Sequence, residues 1–367
     1  MRVLVCPDKF RDTLTARQAA EAFATGWRRV RSADELELIP MADGGEGTLE
    51  ALASRGDVDR RVVPGPLGDP VDAGLGRLAD RTAVVESAGA AGLALLAPER
   101  RRPTRTTTRG VGELMRAALD EGAPKILVCL GGSATNDGGA GMAAALGAGL
   151  LDDRGAQVRD GGAALLELAR IDLTDLDPRV RSTEVVGLTD VDNPLCGPSG
   201  ASVTYGPQKG ASADDVVLLD RALGHLAAVV QRDLGIDLAN EPGAGAAGGL
   251  GFGLLAFCGA RLRPGVQAVA EAVGLEEAMA ASDLVVTGEG ALDATSLHGK
   301  VVGHVLATAD LVRTRTAVIC GRAEITLEGV DVRSLVDEVG EEAALQDARR
   351  SVERVAAAIA ETVGAPA

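Results

Sequence analysis

Aromatic side chains are almost missing from this chain: one Trp, one Tyr and four Phe make up 2% of its residues. So few rings cannot build a platform for stacking nucleic-acid bases, and the core has to be made from Val, Leu and Ala. Net positive charge is missing as well. Fifty-three acidic against 37 basic residues leave −16 at neutral pH, a field that repels nucleic acid and anionic lipid surfaces. The three histidines, His225, His298 and His304, are too few and too scattered for a zinc site. Five cysteines, at 6, 129, 196, 258 and 320, are odd in number and form no CxxC pair, which fits a reducing cytoplasm better than a disulfide framework. Cys6, Cys129 and Cys320 fall at the ends of expected strands and read as small packing residues. No apolar run reaches membrane-spanning length, and the chain opens on a strand rather than on a charged segment followed by an apolar leader. The expected location is the cytoplasm.

Apolar residues, by contrast, are plentiful. At 46% of 367 residues, with a mean hydropathy of +0.13, they suffice for a compact soluble protein with two cores. Forty-eight glycines without a triplet period, among alternating apolar runs and amphipathic stretches, point to an α/β protein rich in functional turns. Strand–loop–helix units recur: a strand at Arg2 to Cys6 before a helix from Leu14 to Val30 with Thr15 as N-cap, then a strand at Leu36 to Pro40 before a second helix. Val58 to Ser87 reads as three strands of an antiparallel meander. Further helices are expected to end near Gly122, to run from about Ala213 to Leu234, to start at Val301 and to span Gln346 to Val363. Strands are expected at 284–287, 316–320 and 335–338. Two strands at the start and three at the end suffice for one five-stranded parallel sheet. The expected organisation is a parallel-sheet lobe, 1–64 with 270–367, interrupted by an inserted α/β lobe, 65–269, with the glycine loops meeting in the cleft.

The stretch Lys125 to Gly149 carries the clearest local signal. Ile126 to Leu130 has strand length, GGSATNDGG follows, and Ala140 to Leu146 is helix-prone. Gly131, Gly132, Gly138 and Gly139 let backbone N–H groups approach a ligand, Ser133 and Thr135 add hydroxyls, and the helix start favours an anion. Asn136 or Asp137 can cap the helix, and Asp137 can alternatively hold a metal ion. Lysine is used only at 9, 125, 209 and 300, in a chain that prefers arginine. Lys9, Lys209 and Lys300 sit in loops, as compact ammonium groups facing an anion would. Asp8, Asp43, Glu46, Asp137, Asp190, Asp192, Glu289 and Asp293 all lie in or beside turns after expected strands, suitable as oxygen ligands for Mg²⁺ or as a base for a hydroxyl, and equally as caps of turns. Gly243, Gly245 and Gly248 have GxGxxG spacing but follow Glu241-Pro242 rather than a strand, so close packing explains them better than a dinucleotide. His298-Gly299-Lys300 lacks the remainder of a Walker A loop.

Eight stretches together resemble the consecutive motifs of the bacterial glycerate kinase family: PDKF…LTA (7–16), ADGGEGT (42–48), ESAGAAGL (86–93), GGSATNDGGAG (131–141), DVDNPLCGPSGAS (190–202), GPQKGAS (206–212), PGAGAAGG (242–249) and VTGEGALDATSLHGK (286–300). They follow the family's order over nearly the whole chain, less clearly beyond Cys320, and Arg11-Asp12 stands where the family usually has Lys-Gly or Lys-Glu. The resemblance implies a two-domain fold with a flavodoxin-like lobe interrupted by a second α/β lobe with a mixed sheet. It also implies phosphorylation of glycerate by ATP, with the 2-hydroxyl favoured, and Mg²⁺ to neutralise the phosphates. On this reading Asp190, Asp293, Lys9 and Lys209 are the catalytic candidates. Gly131, Gly132, Ser133, Thr135, Gly138 and Lys300 are candidates for ATP. Asp8, Asp43, Gly44, Gly45, Glu46, Gly243 and Gly245 are candidates for the acceptor, and Asp190, Asp192, Glu289 and Asp137 for the metal. An NAD-dependent hydroxyacid dehydrogenase and a non-catalytic binding protein for small organic acids are the alternatives.

Overall fold

The computed structural model of the chain describes residues 1–10, 13–53 and 56–363; Arg11 and Asp12 lie outside the described residues. The chain forms two compact units. Met1–Asp43, Glu50–Arg55 and Pro264–Ala367 make the first, and Gly44–Leu49 with Gly56–Arg263 makes the second.

The first unit is built on the expected parallel sheet of five strands. Across the sheet they run Asp331–Ser334, Arg315–Ala323, Leu284–Leu292, Arg2–Val5, Glu35–Leu38. Numbered along the unit this is 2-1-3-4-5, the flavodoxin-like order, with its reversal between Arg2–Val5 and Leu284–Leu292, whose register pairs Val3 with Leu284 and Val5 with Val286. Helix Ala16–Val30 starts where its sequence says it should: the Thr15 hydroxyl accepts the Gln18 N–H while the Gln18 side chain takes the Thr15 N–H. Its apolar stripe, including Phe23 and Trp27, shares a core with Val352, Val355 and Ile359 of helix Ala348–Thr362. Gly26 permits that approach, because a Cβ there would stand 2.0 Å from the Glu353 carbonyl oxygen. The apolar run after Arg333 is not the expected strand. Ser334 accepts the Asp337 N–H as an N-cap, so Leu335–Val339 is helical and the pairing strand is the Asp331–Ser334 segment before it.

The second unit contains a six-stranded mixed sheet in the order Arg261–Arg263, Glu184–Leu188, Lys125–Cys129, Ala83–Glu86, Pro70–Leu78, Gly56–Pro64. The first four strands are mutually parallel and the last two antiparallel, so the meander expected from Val58 to Ser87 forms one side of it. Gly56–Pro64 pairs along its whole length with Pro70–Leu78, so the second unit begins before residue 65. At its other end it stops at Arg263, and helix Gly265–Val273 belongs to the first unit. Helix Ala213–Leu234 spans the expected residues, with Ser212 and Asp215 forming its capping box.

None of the five cysteines is in a disulfide; Cys6, Cys129, Cys258 and Cys320 are buried and Cys196 is half-buried. Burial pushes the Cys258 and Cys320 thiols up to about 12 and the Cys6 thiol further still. Among the described residues no helix is long and apolar enough to cross a membrane.

Candidate active site

In the first unit the sheet's reversal point gathers carboxylates. Beyond the end of Arg2–Val5 the backbone keeps pairing: the Cys6 N–H donates to Val286 O and the Asp8 N–H to Gly288 O, both at 2.8 Å. On the other side, the Ile39 N–H donates to Val5 O and the Met41 N–H to Pro7 O, both at 2.9 Å, which carries the neighbouring strand toward Asp43. Asp8 and Asp43 thus follow two adjacent strands and Glu289 lies in the second half of the third, on the side where doubly wound sheets bind their ligands. Gly288 has to be glycine in this arrangement, since its Cβ would meet Ile319 O at 2.0 Å.

Asp8 is 9% exposed and Glu289 8%. Burial, then the charge of Asp43 and more weakly that of Glu289, push the Asp8 carboxyl up to about 7. The Lys9 N–H, 2.7 Å from Oδ1, and the Lys9 ammonium pull the other way. A carboxyl that titrates near neutrality beside a ligand-binding edge is suited to accept a proton from a hydroxyl. Sequence reasoning counted Asp8 among eight carboxylates suited to metal or base and placed it at the acceptor, without singling it out as the base. The missing signal was tertiary, the convergence of acids from three adjacent strands.

Asp293 caps a turn. Its Oδ1 accepts the Thr295 N–H at 2.7 Å, the Thr295 hydroxyl at 2.5 Å and the Ser296 N–H at 3.1 Å, closing the turn Ala294–Leu297. The Thr295 hydroxyl foremost holds its carboxyl below the ordinary range, which makes it a weak proton acceptor. Lys300 donates to Thr295 Oγ1 at 2.5 Å on the same turn.

In the second unit the strand–loop–helix reading of Lys125 to Ala145 holds, but the helix start already has its anion. Asp137, fully buried, accepts the Gly139 N–H on Oδ1 (3.1 Å), and on Oδ2 the Gly141 N–H (3.2 Å), the Thr108 N–H (2.8 Å) and the Thr108 hydroxyl (3.0 Å). These four donors hold both of its oxygens within the loop. Gly138 is a packing residue too: at φ +64° its Cβ would stand 2.4 Å from Leu226 Cδ2. Gly132, also at φ +64°, is exposed, and Gly131 abuts Gly45, whose Cα would lie 2.7 Å from its Cβ. The hydroxyls of Ser133 and Thr135 bond each other at 2.7 Å and turn toward the Ala247 carbonyl, at 3.3 and 3.5 Å. Ala247, Gly248 and Gly249 are consecutive left-handed residues, and a Cβ on Gly248 would lie 1.9 Å from Thr135 O.

Lys209 faces inward. It is 3% exposed, its Nζ donates to Thr135 O at 2.7 Å, and burial pushes its ammonium down to about 7 against the pull of Asp137. Its ammonium lies behind the loop and ties down the Thr135 carbonyl. Gly243 and Gly245, expected at the acceptor, are buried instead: their Cβ positions would meet Leu262 at 3.0 Å and Pro194 O at 2.3 Å. Asp190 and Asp192 are exposed after strand Glu184–Leu188.

Glu86, which sequence reasoning passed over inside ESAGAAGL, holds the Gly44–Leu49 segment through the Gly47 N–H (3.2 Å to Oε1) and the Leu49 N–H (3.1 Å to Oε2), while Glu46 is exposed. Its position at the end of strand Ala83–Glu86 was the available clue. Among the described residues no three acidic, histidine or cysteine side chains are grouped to hold a metal ion by themselves.

The family model described as the glycerate kinase family matches residues 3–364. A Bacillus subtilis (strain 168) protein named glycerate kinase is 48% identical over 303 residues, 82% of this chain and 79% of that protein. An Escherichia coli (strain K12) protein named glycerate 2-kinase is 46% identical over 304 residues, 82% and 80% of the two chains. A crystal structure from Salmonella typhimurium LT2, there provisionally named glycerate kinase 2, aligns with a TM-score of 0.89 at 41% identity over 99% of this chain and 98% of that one.

Proposed function

The chain belongs to the glycerate kinase family, and from that premise we propose that it transfers the γ-phosphoryl group of ATP to the 2-hydroxyl of glycerate, with Asp8 as the base. The observation that carries the reading is the Asp8 carboxyl, raised to about 7 at the reversal point of a parallel sheet. The hydroxyl proton passes to the Asp8 carboxylate, the glycerate oxygen bonds to the γ-phosphorus, and the bond to the β,γ-bridging oxygen breaks to release ADP. Lys9, beside Asp8, supplies positive charge toward the moving phosphoryl group.

Mg²⁺ fits this place chemically. Asp43 and Glu289 are hard oxygen donors, and the ion needs only one or two carboxylates when phosphates complete its shell. When bound it neutralises charge on the phosphates. In the second unit the backbone at half-buried Gly131 and exposed Gly132 is proposed for phosphate oxygens, while Lys209 and Ser133 hold the loop in shape. A nicotinamide reading has no support in the fold, since a turn and not a strand leads into Gly243-x-Gly245. Unbridged thiols are consistent with the cytoplasm as its location.

The name of the Escherichia coli relative supports the 2-position. Proton-coupled phosphorus NMR of the product tests it: a phosphate on the 2-oxygen couples to one carbon-bound proton and gives a doublet. A triplet, from the two protons of the 3-carbon, would overturn the regiochemistry, and absence of ADP formation with glycerate would overturn the activity.

A further inference from the structure

The second unit has a cavity of about 760 Å³ at the edge of its sheet where strands Glu184–Leu188 and Arg261–Arg263 begin, the edge opposite the one that leads into Asp190 and Asp192. Its lining is mixed: Leu176, Leu234, Ile236 and Phe257 supply apolar surface, and Arg181 and Arg261 supply cationic groups. The charge balance of that lining is unusual for a chain of net charge −16. Both carboxylates that line the cavity already have a cation: Glu184 pairs with Lys125 at 3.7 Å, and Asp233 with Arg232 at 2.6 Å. The arginines do not have an anion. Among the described arginines of this unit only Arg105, Arg181, Arg221 and Arg261 lack a side-chain hydrogen bond or ion pair, and two of the four line this one cavity. The side chain of Thr183, which also lines the cavity, makes no hydrogen bond either.

We propose that this cavity binds a small organic anion, held at carboxylate or phosphate groups by Arg181 and Arg261 and at its carbon skeleton by the apolar surface of Leu176, Leu234, Ile236 and Phe257. Guanidinium groups recognise either anion in a two-pronged geometry, and the volume is that of a small-molecule site. The cavity is distinct from the loops proposed for phosphate in the same unit, because those loops follow the opposite ends of the strands.

The test is equilibrium dialysis of the full-length protein, with ADP and glycerate at saturation, against radiolabelled citrate and separately against radiolabelled pyrophosphate. At least one probe is expected to bind at one per chain, and which one does so identifies the carboxylate or the phosphate as the recognised group. The double variant Arg181→Ser/Arg261→Ser is expected to lose at least about tenfold in affinity for it, as two charge-assisted contacts require, with kcat and KM unchanged. Failure of both probes to bind, or a loss of less than tenfold in a double variant of normal thermal stability, overturns the proposal.

Discussion

Replacing Asp8 with Asn should damage turnover and strengthen the fold at the same time. An acid whose pKa is higher in the folded protein than in the unfolded chain favours folding fully below its unfolded value, and that contribution is lost as pH rises through its folded value. For Asp8 the two values are 3.8 and about 7. At 1.36 kcal/mol per unit, ionised Asp8 therefore opposes folding by ~4 kcal/mol at pH 8, but by less than ~2 kcal/mol at pH 5, where the folded carboxyl is still protonated. Asn keeps an oxygen for the Lys9 N–H and never ionises. Urea denaturation of Asp8→Asn should accordingly show a stability gain at pH 8 that shrinks toward pH 5, while kcat at saturating substrates falls by roughly a hundredfold or more, the usual worth of a general base. In the wild type, kcat should fall about tenfold per unit below pH ~7. Asp43→Asn should move that limb downward but leave it above the ordinary carboxylate range, because burial is the larger cause. A gain equal at both pH values, or a stabilised variant with normal turnover, would refute the reasoning.

Other perturbations separate catalysis from architecture. Lys9→Ala should lower kcat more than tenfold with an unchanged thermal midpoint, measured by coupled ADP release and scanning calorimetry; normal turnover would remove Lys9 from the reaction. Gly138→Ala should lose about 1–3 kcal/mol without any ligand, because its Cβ runs into Leu226. Gly132→Ala should keep most of its ligand-free stability but lose the rise in midpoint caused by Mg-ATP. The reverse pattern would move the phosphate contact elsewhere. Asp293→Asn should cost stability by about 0.5–2 kcal/mol, as cap losses do, with kcat within twofold of wild type; a hundredfold loss would restore Asp293 as a base.

Much of the scaffold is legible in the chain because its determinants are local. The Thr15 and Ser212 capping boxes and the lengths of their helices depend on residues a few positions apart. The five parallel strands of the first unit follow from counting strand–loop–helix units. The Leu335 run misleads because four apolar and acidic residues suit either element, and the Ser334 cap decides between them. Site chemistry is less legible for a related reason. An acid in a glycine loop looks the same whether its oxygens face a ligand or, as in Asp137, the N–H groups of Thr108 and Gly141. The rarity of lysine draws attention to Lys209, yet only the packed loop shows that its ammonium points at Thr135 O. Asp8 acquires its chemistry from neighbours on two other strands, a relation that no spacing in the sequence encodes.

The buried thiols give each unit its own clock. Cys6 and Cys320 lie in the first unit, Cys129 and Cys258 in the second, and none reacts until local structure opens around it. Alkylation followed by mass spectrometry, after the half-buried Cys196 has been consumed, would therefore time the opening of the two units separately in one unmodified molecule. Adding ATP and glycerate to such an experiment would reveal which unit each compound keeps shut.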